Sequence, residues 1–175
     1  MASDLIRRVL VILPAFPNMA EIQAVRRRYD PNLELIGPHI TLVFPFESPM
    51  GSSELRIHIE GATAGLAPFP VRLGGITAQE GEYLFLNVKR GNDAIVDLHD
   101  RLYGGPLAPH LDRAYTFTPH VTIGRLPDRP ALDAALADTA QTDLACEVLA
   151  DTVSVYSFWP HGPRGIEFVV PLGGR

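Results

Sequence analysis

Apolar and polar positions alternate along the chain in a way that predicts most of its elements. Residues 6–14, rich in Val, Ile and Leu and followed by Pro14 and Pro17, read as a buried first strand. From Asn18 to Tyr29 the period changes: Met19, Ile22, Val25 and Tyr29 recur at helical spacing, with Arg26 to Arg28 toward the end that favours cations. "GPHITLVFPF" (37–46) returns to a period of two, with Ile40, Leu42, Phe44 and Phe46 on one face and His39 and Thr41 on the other. Residues 52–66 predict a helix with Ser52 as its cap and Glu54 in the first turn. Strands on either side of Glu80-Gly81 predict a hairpin, and Ile95, Leu98 and Leu102 mark a helix stopped by Gly104-Gly105.

The segment 104–119, with three prolines and two glycines, reads as a loop. "TPHVTIGRLP" (118–127) then repeats the earlier pattern: Pro, His, a β-branched aliphatic residue, Thr, an aliphatic residue. A helix over 129–140 begins with proline near its first position, and two strands, "DTVSVYSFW" and "GIEFVVPL", close the chain as a hairpin. Element order therefore recurs after each His-Thr strand: a helix, then a strand pair. The expected fold is α+β, a bilobal pseudo-twofold duplication. Two antiparallel sheets with outer helices would flank a central cleft. No change of composition or linker divides residues 1–175, so one bilobal domain is expected.

Composition narrows the range of functions. Hydrophobic residues make up 46% and charged residues 20% of the 175, enough apolar content to build a core. The formal net charge of −5 is the wrong sign for a protein that coats long nucleic acid, although a short polynucleotide end in a locally basic cleft is compatible with it. The lone Cys146 excludes an intramolecular disulfide and any cysteine-based zinc cluster, and it suits a reducing compartment. The opening "MASDLIRRVLVILPAFP" carries a short apolar run broken by Pro14, and reads as a strand rather than a leader. No stretch approaches the ~20 apolar residues of a membrane span. A cytoplasmic location without membrane association is expected.

Because strand side chains alternate, His39 shares a face with Thr41, and His120 shares one with Thr122. A single His-x-Thr on a half-buried strand is ordinarily a solvated or satisfied histidine. The second copy, preceded by the same proline, points instead to chemistry. Two imidazoles that titrate near neutrality and two hydroxyl donors suit in-line displacement at phosphorus. One neutral histidine takes a proton from the attacking hydroxyl, the other gives one to the departing oxygen, and the threonines hold the non-bridging oxygens. No metal is needed for this, and neither His110 with Asp112 nor His58 with Glu60 is followed by a third ligand at useful spacing. No cofactor is expected, and nothing matches a nucleotide-phosphate loop of the Walker type. Tyr83, Phe85, Tyr156 and Trp159 lie on strands that can reach the cleft and stack a base, Trp159 best of all because it stands at a strand end. His110 and His161 fall in loops that could border the site but are expected in solvent, and His58 and His99 on helix surfaces.

The paired "PHITL" and "PHVTI", one in each half of a short duplicated chain, resemble the two-histidine (2H) phosphoesterase superfamily. The "HVTIGR" ending is similar to the bacterial 2′-5′ RNA ligase-like branch, also described as RNA 2′,3′-cyclic phosphodiesterases. The likeness covers most of the chain in element order and about ten residues in specific motif. It implies that His39 and His120 are the acid–base pair, with His39 as acid toward the 3′-oxygen and His120 as base toward water, and that Thr41 and Thr122 bind phosphate. It implies hydrolysis of 2′,3′-cyclic phosphates on RNA ends or nucleotides to a 2′-phosphate, with reverse 2′-5′ RNA ligation. The implied partners are RNA termini or small cyclic nucleotides, taken by a monomer. Arg125 matches an arginine that helps bind nucleic-acid phosphate, although strict alternation puts it on the face opposite His120, and only a bend at Gly124 would bring it round. "VFPFESP" after the first motif departs from the branch's usual apolar-Gly ending. Two other readings stand beside this one: a phosphodiesterase of another cyclic or 2′-5′-linked nucleotide, and a catalytically idle RNA-end or nucleotide-binding module. A purely structural duplication would show no affinity for phosphate.

Overall fold

A computed structural model describes residues 5–158 and 164–173. Among these described residues, eight strands and four helices follow one another as β1 (Ile6–Ile12), α1 (Met19–Tyr29), β2 (Ile40–Ser48), α2 (Ser52–Thr63), β3 (Phe69–Gln79), β4 (Tyr83–Arg90), α3 (Asn92–Leu102), β5 (His120–Arg125), α4 (Arg129–Thr139), β6 (Cys146–Ala150), β7 (Thr152–Phe158) and β8 (Arg164–Pro171). The α+β class is as expected. The segment between α3 and β5 is not all loop, since Gly105–His110 forms a 3-10 turn that buries Leu107. The short edge strand β6 lacks the long alternation that marks the others and was not anticipated.

All strand pairs are antiparallel, in the order β6-β3-β4-β5-β2-β1-β7-β8. Two separate sheets were expected. Instead the halves β6-β3-β4-β5 and β2-β1-β7-β8 join into one sheet, pinched at its middle to a single residue pair, Ile40 with Val121. Two bulged strands meet there, and their twist carries them apart on either side of the contact.

The repeat also begins earlier than the His-Thr strands. In topology β1-α1-β2-α2-β3 is matched by β4-α3-β5-α4-β7, and the units exchange elements: β3 pairs with β4, β7 with β1, α1 packs on β5 and α3 on β2. One layer of core runs beneath both halves, from Leu10, Ile40, Leu42 and Val43 to Leu84, Leu86, Val121 and Ile123. Arg8, fully buried in this layer, forks onto both oxygens of Glu167 and donates to the Met50 carbonyl. Ser52, expected as a helix cap, donates to Glu167 instead, and Gly51 occupies the cap position. No helix among the described residues is long and apolar enough to cross a membrane.

Candidate functional site at the strand junction

The pair Ile40–Val121 sits at the centre of the site. Continuing its antiparallel register by one residue each way sets His39 across from Thr122, and Thr41 across from His120. Because the strands diverge on either side of this pair, the flanking positions stand farther apart than the about 4.5–5.5 Å of a regular ladder. The two histidines occupy one diagonal and the two threonines the other. All four are half-buried, whereas Ile40 and Val121 between them are fully buried on the opposite face. The two histidines are close enough that charge on His39 disfavours charge on His120.

Both rings are held in the same way. His39 Nδ1 lies 2.8 Å from the Gly37 carbonyl oxygen, and His120 Nδ1 lies 2.6 Å from that of Thr118. A carbonyl only accepts, so in each ring Nδ1 carries the proton and Nε2 is left to titrate on the far side. The intervening residues, Pro38 and Pro119, are both buried; proline's fixed φ turns the preceding carbonyl back onto the ring. The shared Pro-His dipeptide thus has a structural cause. Burial lowers both histidines from their ordinary value of 6.5, against the raising effect of each carbonyl. His39 also feels Arg26, which lowers it, and Asp30, which raises it; these two form a buried ion pair 2.7 Å long.

A bulge follows the threonine on each strand. In β5 the register slips between the pairs Phe85–Thr122 and Leu84–Gly124, so Ile123 and Gly124 are both buried in succession. In β2 it slips at the equivalent place, between Val11–Thr41 and Leu10–Val43, burying Leu42 and Val43 together. This settles the position of Arg125. The extra residue reverses the alternation, so Arg125 pairs with Tyr83 and returns to the face of Phe85 and His120. The same slip removes Phe44 from the apolar stripe expected of it: it is 44% exposed, with its edge on Phe117. The carbonyl of Leu42 accepts from buried His99, and the Phe44 N–H donates to the Tyr103 hydroxyl, so α3 satisfies the bulged edge. His99 was expected on the surface; its ring is instead stacked on Phe117. Half-buried His58 likewise binds the carbonyl of Leu102, and His110 packs on Phe46.

Of the candidate substrate-binding residues, Tyr83 and Arg125 lie together beside His120. Phe85 stacks on the His120 imidazole, with centroids 3.4 Å apart and planes 13° apart; Tyr83 follows at 5.9 Å, and the Arg125 guanidinium lies 5.6 Å over the Tyr83 ring. Arg125 also pairs with Glu82 at 3.0 Å, and the two line a shallow open groove with Pro31, Leu126 and Pro127. Tyr156 falls on the other half, where it packs with Val9, Val11, Leu13, Ile36 and Phe158, and its hydroxyl donates to the Leu35 carbonyl. Trp159 and His161 lie outside the described residues. The sequence reading missed Asn87, which pairs with His120 in the ladder, donates to the Gly75 carbonyl and accepts from Thr77. The alternation Tyr83, Phe85, Asn87, Lys89 was the available signal. Among the described residues no three of His, Cys, Asp and Glu gather as metal ligands.

This fold is shared with structures already solved. Escherichia coli LigT complexed with ATP superposes with a TM-score of 0.57 over 97% of this chain and 99% of that one, at 18% identity. The same protein complexed with NADP+ gives 0.57 at 16% identity, again over 97% and 99% of the two chains. The family model described as the 2′-5′ RNA ligase superfamily matches residues 14–158, and the chain belongs to that family, within the two-histidine phosphoesterases. Among similar sequences, proteins bearing the name "Putative phosphoesterase" from Geobacillus thermodenitrificans and Bacillus cereus are 31% and 32% identical over 119 residues; each match covers 66% of this chain and 67% of the relative.

Proposed function

We propose that the protein hydrolyses 2′,3′-cyclic phosphates on RNA ends or nucleotides, using His39 as acid and His120 as base. The observation that carries the reading is the crossed square of two histidines and two threonines about Ile40–Val121, each imidazole fixed with Nε2 as its titrating atom. Neutral His120 takes a proton from water as its oxygen bonds to phosphorus. Protonated His39 gives its proton to the 3′-oxygen as the P–O3′ bond breaks, which leaves a 2′-phosphate. Thr41 and Thr122 donate to the non-bridging oxygens, where charge builds. Repulsion between the imidazoles disfavours two protons in the site at once, so one ring is neutral when the other is charged, as an acid and a base require. A 5′-hydroxyl in place of water would form a 2′-5′ linkage by the same steps. Nucleotides bound to E. coli LigT are in keeping with a nucleotide-sized ligand here.

The test is turnover of a short RNA ending in a 2′,3′-cyclic phosphate, in EDTA, by the wild type and the His39→Ala and His120→Ala variants. Each variant is expected to lose activity by about 10²–10⁴-fold while it melts as the wild type does. A folded wild type that releases no product overturns the cyclic-phosphate reading. Other cyclic or 2′-5′-linked nucleotides would be assayed next, and binding without turnover would point to an idle module.

A further inference from the structure

We infer that the open face of β3 and β4 holds a phosphate subsite for single-stranded RNA, formed by Arg72, Lys89 and Arg90, beyond the junction on the side away from Arg125. The inference rests on the RNA-end reading above and names the longer substrate that the site takes.

Two bulges build this place. β3 carries an extra residue at Gly74-Gly75, with Gly75 at φ +73°, and β4 an extra residue at Lys89, between the pairs Leu73–Val88 and Arg72–Arg90. The Lys89 side chain lies back over the first bulge, for a Cβ on Gly75 would stand 3.4 Å from both its Cε and its Nζ, and 3.9 Å from Asn87 Nδ2. Glycine suits the left-handed backbone there, and a Cβ in its place would touch the lysine. Asn87 is tied by Gly75 and Thr77, and one N–H of its amide is still free to donate. The lysine amine therefore sits on the same face as Asn87, the direct ladder partner of His120.

Arg72 and Arg90 then oppose each other in the ladder, both exposed. Val71 and Leu73, on either side of Arg72, are fully buried, so Arg72 points to the open face, and its cross-strand partner shares that face. Like charges directly opposed destabilise a sheet. No salt bridge relieves them: among the described residues neither arginine nor Lys89 has a carboxylate within 4 Å, even though Glu147 opposes Arg72 on the next strand. Three unpaired cations on one face, in a chain of net charge −5, make a local positive patch that attracts an anion from outside.

The position selects that anion. With the bulge at Lys89, Asn87 to Arg90 spans two steps of the ladder, about 7 Å along the strand and roughly one nucleotide beyond the reacting phosphate. A cyclic mononucleotide has its one phosphate at the junction and offers none here, whereas the next phosphodiester of an RNA strand does. Arginine and lysine side chains on an open strand suit a flexible backbone without reading its sequence.

The experiment compares the wild type with a Lys89→Gln/Arg90→Gln double variant and with Arg72→Gln. The first probe is a dye-labelled five-nucleotide RNA ending in a 2′-phosphate, titrated across salt by anisotropy. The double variant is expected to bind about ten-fold more weakly at low salt, with the slope of log K against log salt flatter by about 1.4. Arg72→Gln should flatten the slope by about half as much. The second probe is turnover: kcat/KM for a cyclic mononucleotide should be unchanged, and KM for the cyclic-phosphate pentamer should rise. Equal affinity and slope in wild type and variants, or no binding of the pentamer by the wild type, overturns the subsite. Loss of binding by the variants of a wild type that turns over neither substrate leaves the subsite standing and removes the catalytic reading.

Discussion

The surroundings of His39 and His120 differ more than their shared motif suggests. Both rings are preceded by a buried proline, tied to the carbonyl two residues back, and followed by a threonine and a bulge. Beneath the threonines the likeness ends. Thr41 pairs with Val11, while Thr122 pairs with Phe85, which lies flat against His120. On the His39 side Ile36 packs over Val9, Val11 and Tyr156, and Leu35 is anchored by the Tyr156 hydroxyl, so that face is covered. On the His120 side Tyr83 and Asn87 are half-buried, and Lys89 and Arg125 are exposed. The duplication has kept the paired histidines and threonines in both halves, and it has divided the surfaces around them, one half closed and apolar, the other more open and cationic.

The sharpest way to break the comparison is at the threonines. If the halves are equivalent in chemistry, Thr41→Val and Thr122→Val should each lower kcat by about 10²–10³-fold, as the loss of one donor to developing charge does. A loss confined to one of them would mean that only one half holds the phosphoryl oxygens. Next comes Gly124, whose counterpart in the first half is Val43. A Cβ on Gly124 would stand 2.8 Å from Tyr29 Cβ, so Gly124→Ala should cost about 1–3 kcal/mol in denaturant unfolding, with KM for RNA raised as Arg125 is displaced. An alanine variant as stable as the wild type would show that α1 can yield.

Phe85→Val gives the second half the residue that the first half has at Val11. Water then reaches His120 more freely and relieves the burial that lowers it, so the acid limb of the kcat/KM profile should move toward higher pH, with kcat down by about ten-fold. Phe85→Tyr should restore both, and an unmoved limb would mean that the stack plays no part in tuning the base. The smallest effect is on stability. Both histidines are lowered in the folded state, so the unfolded chain binds more protons between the folded value and 6.5. Stability is full above 6.5 and declines as pH falls through that window. The His39→Gln and His120→Gln variants should each flatten the decline of the denaturant midpoint.

The legible part of the molecule is its local pattern. Ile40, Leu42 and Val121 declare their face by alternation, and Pro-His with Thr two residues on marks both halves of the site. The bulges were not legible, because an extra residue leaves composition unchanged and only reverses the parity of the positions after it. Strict alternation therefore misplaced Phe44 and Arg125, although Gly124 was a fair warning. His99 could not be recognised as buried, since the carbonyl that it binds lies 57 residues away in sequence. Sheet order was hidden for the same reason. A helix and then a strand pair look like one unit on paper, yet the pairs belong partly to the other half.

That exchange of elements bears on how the chain reaches its fold. β1 lies between β2, its near neighbour in sequence, and β7, where Val9 meets Tyr156 across nearly the whole chain. As the protein leaves the ribosome, β1 and β2 can pair early across α1, while the other edge of β1 waits for β7. Pairings of such wide separation are slow to close, and an unpaired apolar edge invites association in the meantime. Truncation before β7 should therefore yield an aggregating product rather than a stable half-protein.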